Sequence, residues 1–164
     1  MDALATIDID QCTVLLRRAE PADVPAIVAL LAADQLGAVR DGIRDGADLA
    51  AYGRAFETID ADSAHLLLVA DRDGQVVGTM QLSFLPGLAR RGALRAQVEA
   101  VRVADEVRGS GLGKAMMSWA IDEARRRGCA LVQLTSDKRR TEAHRFYQRL
   151  GFAASHEGMK LSLR

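Results

Sequence analysis

The chain has 164 residues, which fits one domain of the usual ~100–200 residues. Hydrophobic residues make up 49% of the sequence, enough for a buried core. The 22 basic and 22 acidic residues cancel, so the composition does not indicate a protein that binds nucleic acid or an anionic membrane. We therefore expect one domain over residues 1–164, with a small molecule or a local epitope as its partner.

The N-terminal residues 1–12 contain three aspartates and lack the basic segment and long apolar core of a signal peptide. We expect them to be flexible. No run in the chain approaches the ~18 apolar residues of a membrane span, which predicts a cytoplasmic location without a membrane partner. Cys12 and Cys129 are far apart and lack metal or redox spacing, so we expect reduced structural thiols rather than a disulfide or a nucleophile.

The first predicted elements are a strand, a helix and an irregular stretch. Residues 14–17 have the character of a strand, and the apolar spacing in residues 23–34 predicts an amphipathic helix. Residues 37–62 contain four glycines and many charges, so we expect only one or two short helices there. Three apolar residues of this stretch would share one face: Leu49, Tyr52 and Phe56.

The later elements follow from the same periodicities. Strands are predicted over residues 65–70, 75–84, 94–103, 130–135, 152–154 and 159–163. Helices are predicted over residues 112–127 and 141–150. An Asp-Arg-Asp-Gly turn joins the first two of these strands, and a basic loop over residues 88–92 precedes the third. The order predicts an α/β fold, a mixed sheet with helices on both faces.

A glycine-rich turn is the strongest functional signal in the chain. Residues 108–114 read Arg-Gly-Ser-Gly-Leu-Gly-Lys and connect a predicted strand to a predicted helix. Such a turn presents free backbone N–H groups at the positive end of the helix dipole, where a phosphate can bind. The spacing excludes a Walker loop, because Gly113-Lys114 is followed by Ala115, and it also differs from the G-x-G-x-x-G pattern of dinucleotide-binding proteins.

Three segments resemble the GNAT superfamily of N-acetyltransferases. The Arg-x-x-Gly-x-Gly spacing beginning at Arg108 is similar to the pyrophosphate loop of that family. Residues 143–152 read Ala-His-Arg-Phe-Tyr-Gln-Arg-Leu-Gly-Phe, which resembles its A-x-x-F-Y-x-x-x-G-F signature. Residues 14–23 are similar to its first strand and the cap of its first helix. The resemblance implies a GNAT fold, with a mixed, mostly antiparallel central sheet of about six or seven strands.

The resemblance also implies acetyl-CoA as cosubstrate and assigns residues to it. The strand before the loop would pair with the pantetheine arm as an added strand would. Arg140 stands where the family often has an asparagine that contacts the cofactor. The residues expected to bind acetyl-CoA are Val101, Arg102, Val103, Arg108, Gly109, Ser110, Gly111, Leu112, Gly113, Lys114 and Arg140.

Two catalytic residues follow from the same resemblance. Glu99, nine residues before Arg108, is at a position where many relatives carry the general base that deprotonates the amine, directly or through water. Glu57 or an aspartate of residues 37–62 could serve instead. Tyr147 is expected to protonate the departing thiolate. No histidine has ligand spacing, so we expect no metal site, and a divalent-metal requirement stays open for an aminophosphonate acceptor.

The sequence therefore predicts an acetyl-CoA-dependent N-acetyltransferase in which a primary amine of a small molecule attacks directly in a ternary complex. Two alternatives stay open: a protein or peptide amine acetyltransferase, and a non-catalytic acyl-CoA-binding module. Residues 135–152 also resemble the aminoalkylphosphonate N-acetyltransferases, which suggests an anionic amine. Three arginines could meet its anion: Arg90, Arg91 and Arg95. Pairing of the C-terminal strands could form a homodimer.

Overall fold

The computed structural model describes residues 3–9, 12–33 and 37–163. The chain divides into two compact units, Met1–Gln133 and Leu134–Arg164. The single domain over residues 1–164 stays a prediction.

One sheet of six strands, in the order β1 to β6, forms the framework, and all of it except the last residue of β6 belongs to the first unit. The successive pairs from β1 to β5 are antiparallel. The strands are β1 (Ala3–Ile9), β2 (Cys12–Arg18), β3 (His65–Arg72), β4 (Gln75–Pro86), β5 (Leu94–Val103) and β6 (Leu131–Leu134). The predicted α/β class, with a mostly antiparallel sheet of six or seven strands, is confirmed.

Helices cover both faces of this sheet. The helices are α1 (Val24–Ala32), α2 (Gly46–Asp60), a single turn α3 (Ala89–Gly92) and α4 (Leu112–Arg126). Ile27 of α1 and Phe56 of α2 join Val69 of β3 in one buried cluster, so we call this side of the sheet the α1/α2 face. On the opposite side, the α4 face, Gly78 lets Met116 approach closely, because a Cβ added at Gly78 would lie 3.1 Å from the Met116 Sδ.

The segment of residues 37–62 forms one regular helix where shorter helices were expected. The Asp45 side chain caps α2 by accepting hydrogen bonds of 2.9 Å from the N–H groups of Ala47 and Asp48. Phe56 is buried and Leu49 is 42% exposed, so the predicted apolar face is only partly covered. A good cap and one buried aromatic therefore support fifteen helical residues despite the glycines.

The N-terminus differs from the expected flexible segment. Ala3–Ile9 forms β1, which pairs antiparallel with β2 and buries Ile7. The backbone hydrogen bonds of this pair fix a segment whose composition alone gave no strand signal. Residues 1, 2, 10 and 11 lie outside the described residues, as does Asp34 at the predicted end of the first helix.

A buried ionic cluster holds the start of α1 against the sheet. Arg17 on β2 donates to both carboxylate oxygens of Asp23, at 2.7 and 2.9 Å, and its Nε donates to Asp71 on β3 at 3.0 Å. Asp23 also accepts from the Glu20 N–H, and Asp71 from the Gly74 N–H, both at 2.7 Å. Burial works to raise the pKa of Asp23, but these hydrogen bonds outweigh it and hold that pKa below its usual value.

The second unit contains one helix, α5 (Thr141–Arg149), as predicted. The predicted strand pair over residues 152–154 and 159–163 is wrong, since the structure assigns no strand between residues 152 and 163. The side chains of Met159, Leu161 and Leu163 are 93, 86 and 90% exposed. An alternating pattern without a covered apolar face lacks the burial that stabilises a strand pair.

Candidate functional site

The glycine-rich loop has the backbone geometry that its sequence predicts. Gly109 and Gly111 adopt left-handed conformations with φ of 85° and 92°, and Gly111 is the residue that caps α4. A side chain at either position would strain the backbone. The Ser110 hydroxyl donates to the Val107 carbonyl at 2.7 Å, which tightens the turn. The loop therefore enters α4 in a conformation that needs glycine.

The first turn of α4 presents backbone donors to this loop. The N–H groups of Leu112, Gly113 and Lys114 have no carbonyl one turn earlier in the helix to pair with. Leu112 N–H makes only a long contact of 3.4 Å to the Ser110 hydroxyl oxygen. Because these donors lie at the positive end of a fifteen-residue helix, the loop can bind an anion such as a pyrophosphate.

Two cations border the loop. Lys114 is exposed, and Arg108 pairs with Asp105 at 2.6 Å. The side chains of Arg108 and Asp105 are 60% and 70% exposed, so water screens this ion pair and it is worth only ~0–1 kcal/mol. Arg108 can therefore exchange Asp105 for a bound anion at little cost.

A β-bulge interrupts β5 before the loop. Thr79 pairs with Arg102 and Gln81 pairs with Glu99, so Ala100 and Val101 together oppose a single residue of β4. Ala100 has a positive φ of 54°, which costs a residue with a Cβ ~1–2 kcal/mol. A bulge of this kind leaves its extra residue out of the ladder, so backbone polar groups become available at this point of β5.

Glu99 lies directly before the bulge and is exposed. It forms no ion pair with any residue in the described ranges. Val101, Arg102 and Val103 follow the bulge and are half-buried, and Arg102 donates to the Val101 carbonyl at 2.8 Å. The structure thus places the predicted base and the predicted pantetheine strand on the one strand that leads into the glycine loop.

A basic turn precedes the other end of β5. Arg90 and Arg91 in α3 have φ of 55° and 61°, and Gly92 follows with 78°, so three successive residues are left-handed. Two exposed arginines in this conformation are unusual and costly. The guanidinium of Arg95 lies against Gly87, 3.7 Å from where a Cβ would be. Within the part of the chain that the structure describes, none of these three arginines has a carboxylate partner.

The second unit contains Tyr147 and Arg140. Tyr147 is half-buried and stacks edge-on with Phe146 and Phe152, with ring centroids 5.1 and 5.8 Å away. Gly151, at φ 91°, ends α5 and turns the chain so that the Phe152 N–H donates to the Tyr147 carbonyl at 3.1 Å. Arg140 is the residue before the first turn of α5. The F-Y-x-x-x-G-F pattern therefore builds a local aromatic cluster around Tyr147.

The sequence reasoning missed polar side chains on the α1/α2 face. Gln97 and Glu99 share that face, a relation that the period of two along a strand could have revealed. Gln97 accepts a hydrogen bond of 2.8 Å from the Gln133 amide, and the Ser83 hydroxyl lies 2.8 Å from the His65 Nδ1. The partners on neighbouring strands depend on register, which no sequence signal gave.

Among the described residues, no disulfide joins the two cysteines and no metal-binding cluster is found. No group of three or more His, Cys, Asp or Glu side chains comes together there in a metal-binding arrangement. Both cysteines are free thiols, and burial raises the pKa of Cys129, which disfavours a reactive thiolate. Among the helices described, none is long and apolar enough to cross a membrane.

A groove of about 620 Å³ lies between α1 and the turn after β5. Alanines line much of it, with Asp105 and Glu106 at one side. Neither Glu99 nor any glycine of residues 108–114 lines this groove. It is therefore separate from the chemistry along β5.

Comparison with known proteins supplies the family. Residues 34–152 match the model of the Acetyltransferase (GNAT) family. The aminoalkylphosphonate N-acetyltransferase of Salmonella typhimurium is 28% identical over 141 residues, which cover 86% of each chain. The glucosamine 6-phosphate N-acetyltransferase of Trypanosoma brucei brucei is 36% identical over 90 residues, 55% of this chain and 59% of that protein.

A solved structure agrees over almost the full length. A protein from Bacillus halodurans C-125, described as a transcriptional regulator, is 42% identical with a TM-score of 0.87. The alignment covers 92% of this chain and 99% of that one. The resemblance to the GNAT superfamily, with the aminoalkylphosphonate enzymes among the relatives, is confirmed. The chain belongs to the Acetyltransferase (GNAT) family and is an acetyltransferase.

Proposed function

We propose that the protein transfers an acetyl group from acetyl-CoA to the primary amine of a small molecule by direct attack within a ternary complex. The observation that carries the proposal is the layout of β5. Glu99 comes first on this strand. The bulge at Ala100 and Val101 follows it, and the turn that leads to the glycine loop comes after the strand. A carboxylate, available backbone polar groups and an anion site therefore succeed one another along β5 and the loop that follows it.

The donor end of the site is the glycine loop. The N–H groups at the start of α4 bind the pyrophosphate of acetyl-CoA, and Arg108 and Lys114 add charge-assisted contacts. The pantetheine arm lies beside Val101–Val103 in the manner of an added strand. A neighbour of the same fold, from Clostridium acetobutylicum, was solved with acetyl-CoA, which supports this choice of cosubstrate.

The reaction requires a neutral amine. An alkyl amine with a pKa of ~10 is mostly protonated at neutral pH, so Glu99 accepts its proton, directly or through water. The amine nitrogen then bonds to the thioester carbonyl carbon, and a backbone N–H at the bulge stabilises the oxyanion. The C–S bond breaks as the tetrahedral intermediate collapses, and the thiolate takes a proton. Tyr147 is proposed as the donor of that proton on the basis of its sequence motif.

The acceptor is proposed to be an amine that also carries an anionic group. Two of the relatives are named for such acceptors, an aminoalkylphosphonate and an amino sugar phosphate. Arg90, Arg91 and Arg95 offer three cations without a carboxylate partner in the described ranges, at the end of β5 that is remote from the glycine loop. A guanidinium fork suits a phosphonate or a phosphate.

A thiol-release screen tests this function. Acetyl-CoA is incubated with the protein and with simple alkylamines, aminophosphonates, amino sugar phosphates, amino acids or peptides. We expect release of CoA with the small amines, highest for those that carry an anion, and an N-acetylated product in equal amount. Release with peptides alone would favour the peptide acetyltransferase, and no release with any amine would overturn the proposal.

We also propose that the protein is cytoplasmic and forms a homodimer.

The other alternative raised by the sequence, a non-catalytic acyl-CoA-binding module, is the contrasting outcome of the screen for a member of this acetyltransferase family. Such a module would bind CoA without thiol release across the whole panel. Replacement of Glu99 by Gln would then leave every measured property unchanged.

A further inference from the structure

Four polar side chains form a row across four neighbouring strands on the α1/α2 face. His65 of β3 pairs in register with Ser83 of β4, and Ser83 pairs with Gln97 of β5. Gln133 of β6 reaches Gln97 through its side-chain amide. With strands ~4.8 Å apart, the row is about 14 Å long.

The hydrogen bond between the two amides leaves the NH₂ group of one and the carbonyl oxygen of the other without a partner in the described ranges. The Gln133 Nε2 donates to the Gln97 Oε1 at 2.8 Å. The Gln97 Nε2 and the Gln133 Oε1 have no hydrogen-bond partner in the described ranges. Gln97 and Gln133 are half-buried, so these two groups face space that a small ligand can reach. A hydroxyl or an amide, which both donates and accepts, complements this pair.

The surroundings of the row argue against a purely structural role. On the opposite face, the neighbours of Gln97 along β5 are Ala96 and Val98, which are 0% and 2% exposed and belong to the apolar core. If the row served only to pack against other parts of the protein, we would expect apolar side chains at its positions. Each polar group that is covered without a hydrogen-bond partner costs ~1–3 kcal/mol. Ser83 is buried at 6% exposure, whereas Gln97 and Gln133 are half-buried, so the accessible end of the row is the pair of side-chain amides.

The position of the row relates it to the reaction. Arg95, Gln97 and Glu99 alternate along the same face of β5, with ~7 Å between successive members. Gln97 thus lies between Glu99 and Arg95 on β5, with the Gln133 amide beside it on β6. A ligand held between the side chains of Glu99 and Arg95 is therefore next to the Gln97 amide.

We propose that Gln97 and Gln133 bind an uncharged hydrogen-bonding group of the acceptor, a hydroxyl or an amide within about 7 Å of the amine. This inference rests on the proposed function and makes it more specific. The acceptor then has three recognised parts in order, namely the amine at Glu99, the uncharged group at the two amides, and the anion at the arginines.

Matched acceptors test the inference. One pair is isopropanolamine and isobutylamine, which differ by exchange of a hydroxyl for a methyl group. The other pair is aminoethylphosphonate hydroxylated on the carbon next to phosphorus and its methyl analogue. For each pair, kcat/KM is measured by thiol release with the wild type, Gln97→Met, Gln133→Met and the control Gln75→Met. Gln75 is exposed at the start of β4, outside the row.

We expect the wild type and the Gln75→Met control to prefer the hydroxylated member about five- to tenfold, the effect of one hydrogen bond. Gln97→Met and Gln133→Met should lower the preference to about onefold. The preference compares two acceptors on one preparation, so any unfolded fraction of a variant cancels. If the wild type releases thiol but shows no preference for the hydroxylated acceptors, this inference is wrong and the proposed function stands. The same conclusion follows if the preference persists in both Gln97→Met and Gln133→Met. If no amine supports thiol release, the proposed function itself is wrong.

Discussion

The two faces of the sheet in the first unit differ in chemistry. On the α4 face, Leu68, Met80 and Leu82 of the sheet and Met116 of α4 are all 0% exposed. On the α1/α2 face, apolar contacts cover one part of the sheet, while the strand that carries Glu99 shows polar side chains. The first face is closed and the second is partly open.

This difference assigns separate roles to the two faces. Close apolar packing supplies the free energy of folding, and a polar, accessible surface supplies groups that can meet a ligand. Some polar residues on the α1/α2 side are buried, most prominently the ionic cluster of Arg17, Asp23 and Asp71. We expect substitutions on the α4 face to change stability, and those along β5 to change turnover.

The largest effect is expected for Glu99→Gln. Loss of the general base should lower kcat/KM about 10³-fold, while the melting temperature stays within a few degrees because the side chain is exposed. Thiol-release kinetics and thermal melts measure the two quantities. Glu57→Gln, at the rival position, should retain activity. Equal activity of Glu99→Gln and the wild type would remove Glu99 from the mechanism.

Arg17→Met should lower the free energy of unfolding by about 3–5 kcal/mol, because it leaves two buried carboxylates without their cation. Urea unfolding measures the loss, and Arg54→Met on the exposed side of α2 serves as control. The folded state lowers the pKa of Asp23, so its stabilisation is complete above the unfolded pKa of ~3.9 and is lost as pH falls below it. Asp23→Asn should flatten that acid dependence. An unfolding energy of Arg17→Met equal to that of the control would contradict this role.

Leu82→Ala on the α4 face should lower stability by about 3 kcal/mol through the cavity that it leaves. Its kcat should be unchanged in the folded fraction. Leu88, which is 98% exposed, gives the matched control, and Leu88→Ala should change stability by less than ~0.5 kcal/mol. A large loss of kcat in folded Leu82→Ala would show that the two faces are not separate in function.

The smallest effect concerns the ion pair beside the glycine loop. Asp105→Asn frees Arg108 from its exposed partner, so acetyl-CoA should bind about two- to threefold more tightly at low salt. The gain should fade as salt rises. Titration calorimetry at two salt concentrations measures it, with Asp122→Asn, which loses a similar exposed pair to Arg125, as control. Weaker binding by Asp105→Asn would mean that Asp105 orients Arg108 instead of competing for it.

The sequence predicted the backbone features of the site better than its side-chain surface. The β5 bounds agree with the prediction, and the glycine loop has the conformation that its glycines indicate, because glycine reports backbone geometry directly. The bulge at Ala100 has no such signal, since alanine rarely adopts a positive φ.

The acceptor end could not be predicted for a related reason. The neighbours of His65, Ser83, Gln97 and Gln133 depend on the register of four successive strands, and the residue pattern of each strand does not fix that register. The strand pair predicted near the C-terminus failed on the same ground. Its alternation of apolar residues was real, but a strand also needs a partner and a covered face.

Binding of acetyl-CoA at residues 108–114 is the step on which all of the proposed chemistry depends. Titration calorimetry of acetyl-CoA into the wild type, Gly111→Ala and Gly53→Ala tests it directly. Gly111 has φ of 92°, whereas Gly53 lies in the regular helix α2 with open space around it. We predict binding to the wild type and to Gly53→Ala, and affinity about tenfold lower or worse for Gly111→Ala. Equal affinity of all three proteins, or no binding by the wild type, would contradict the account.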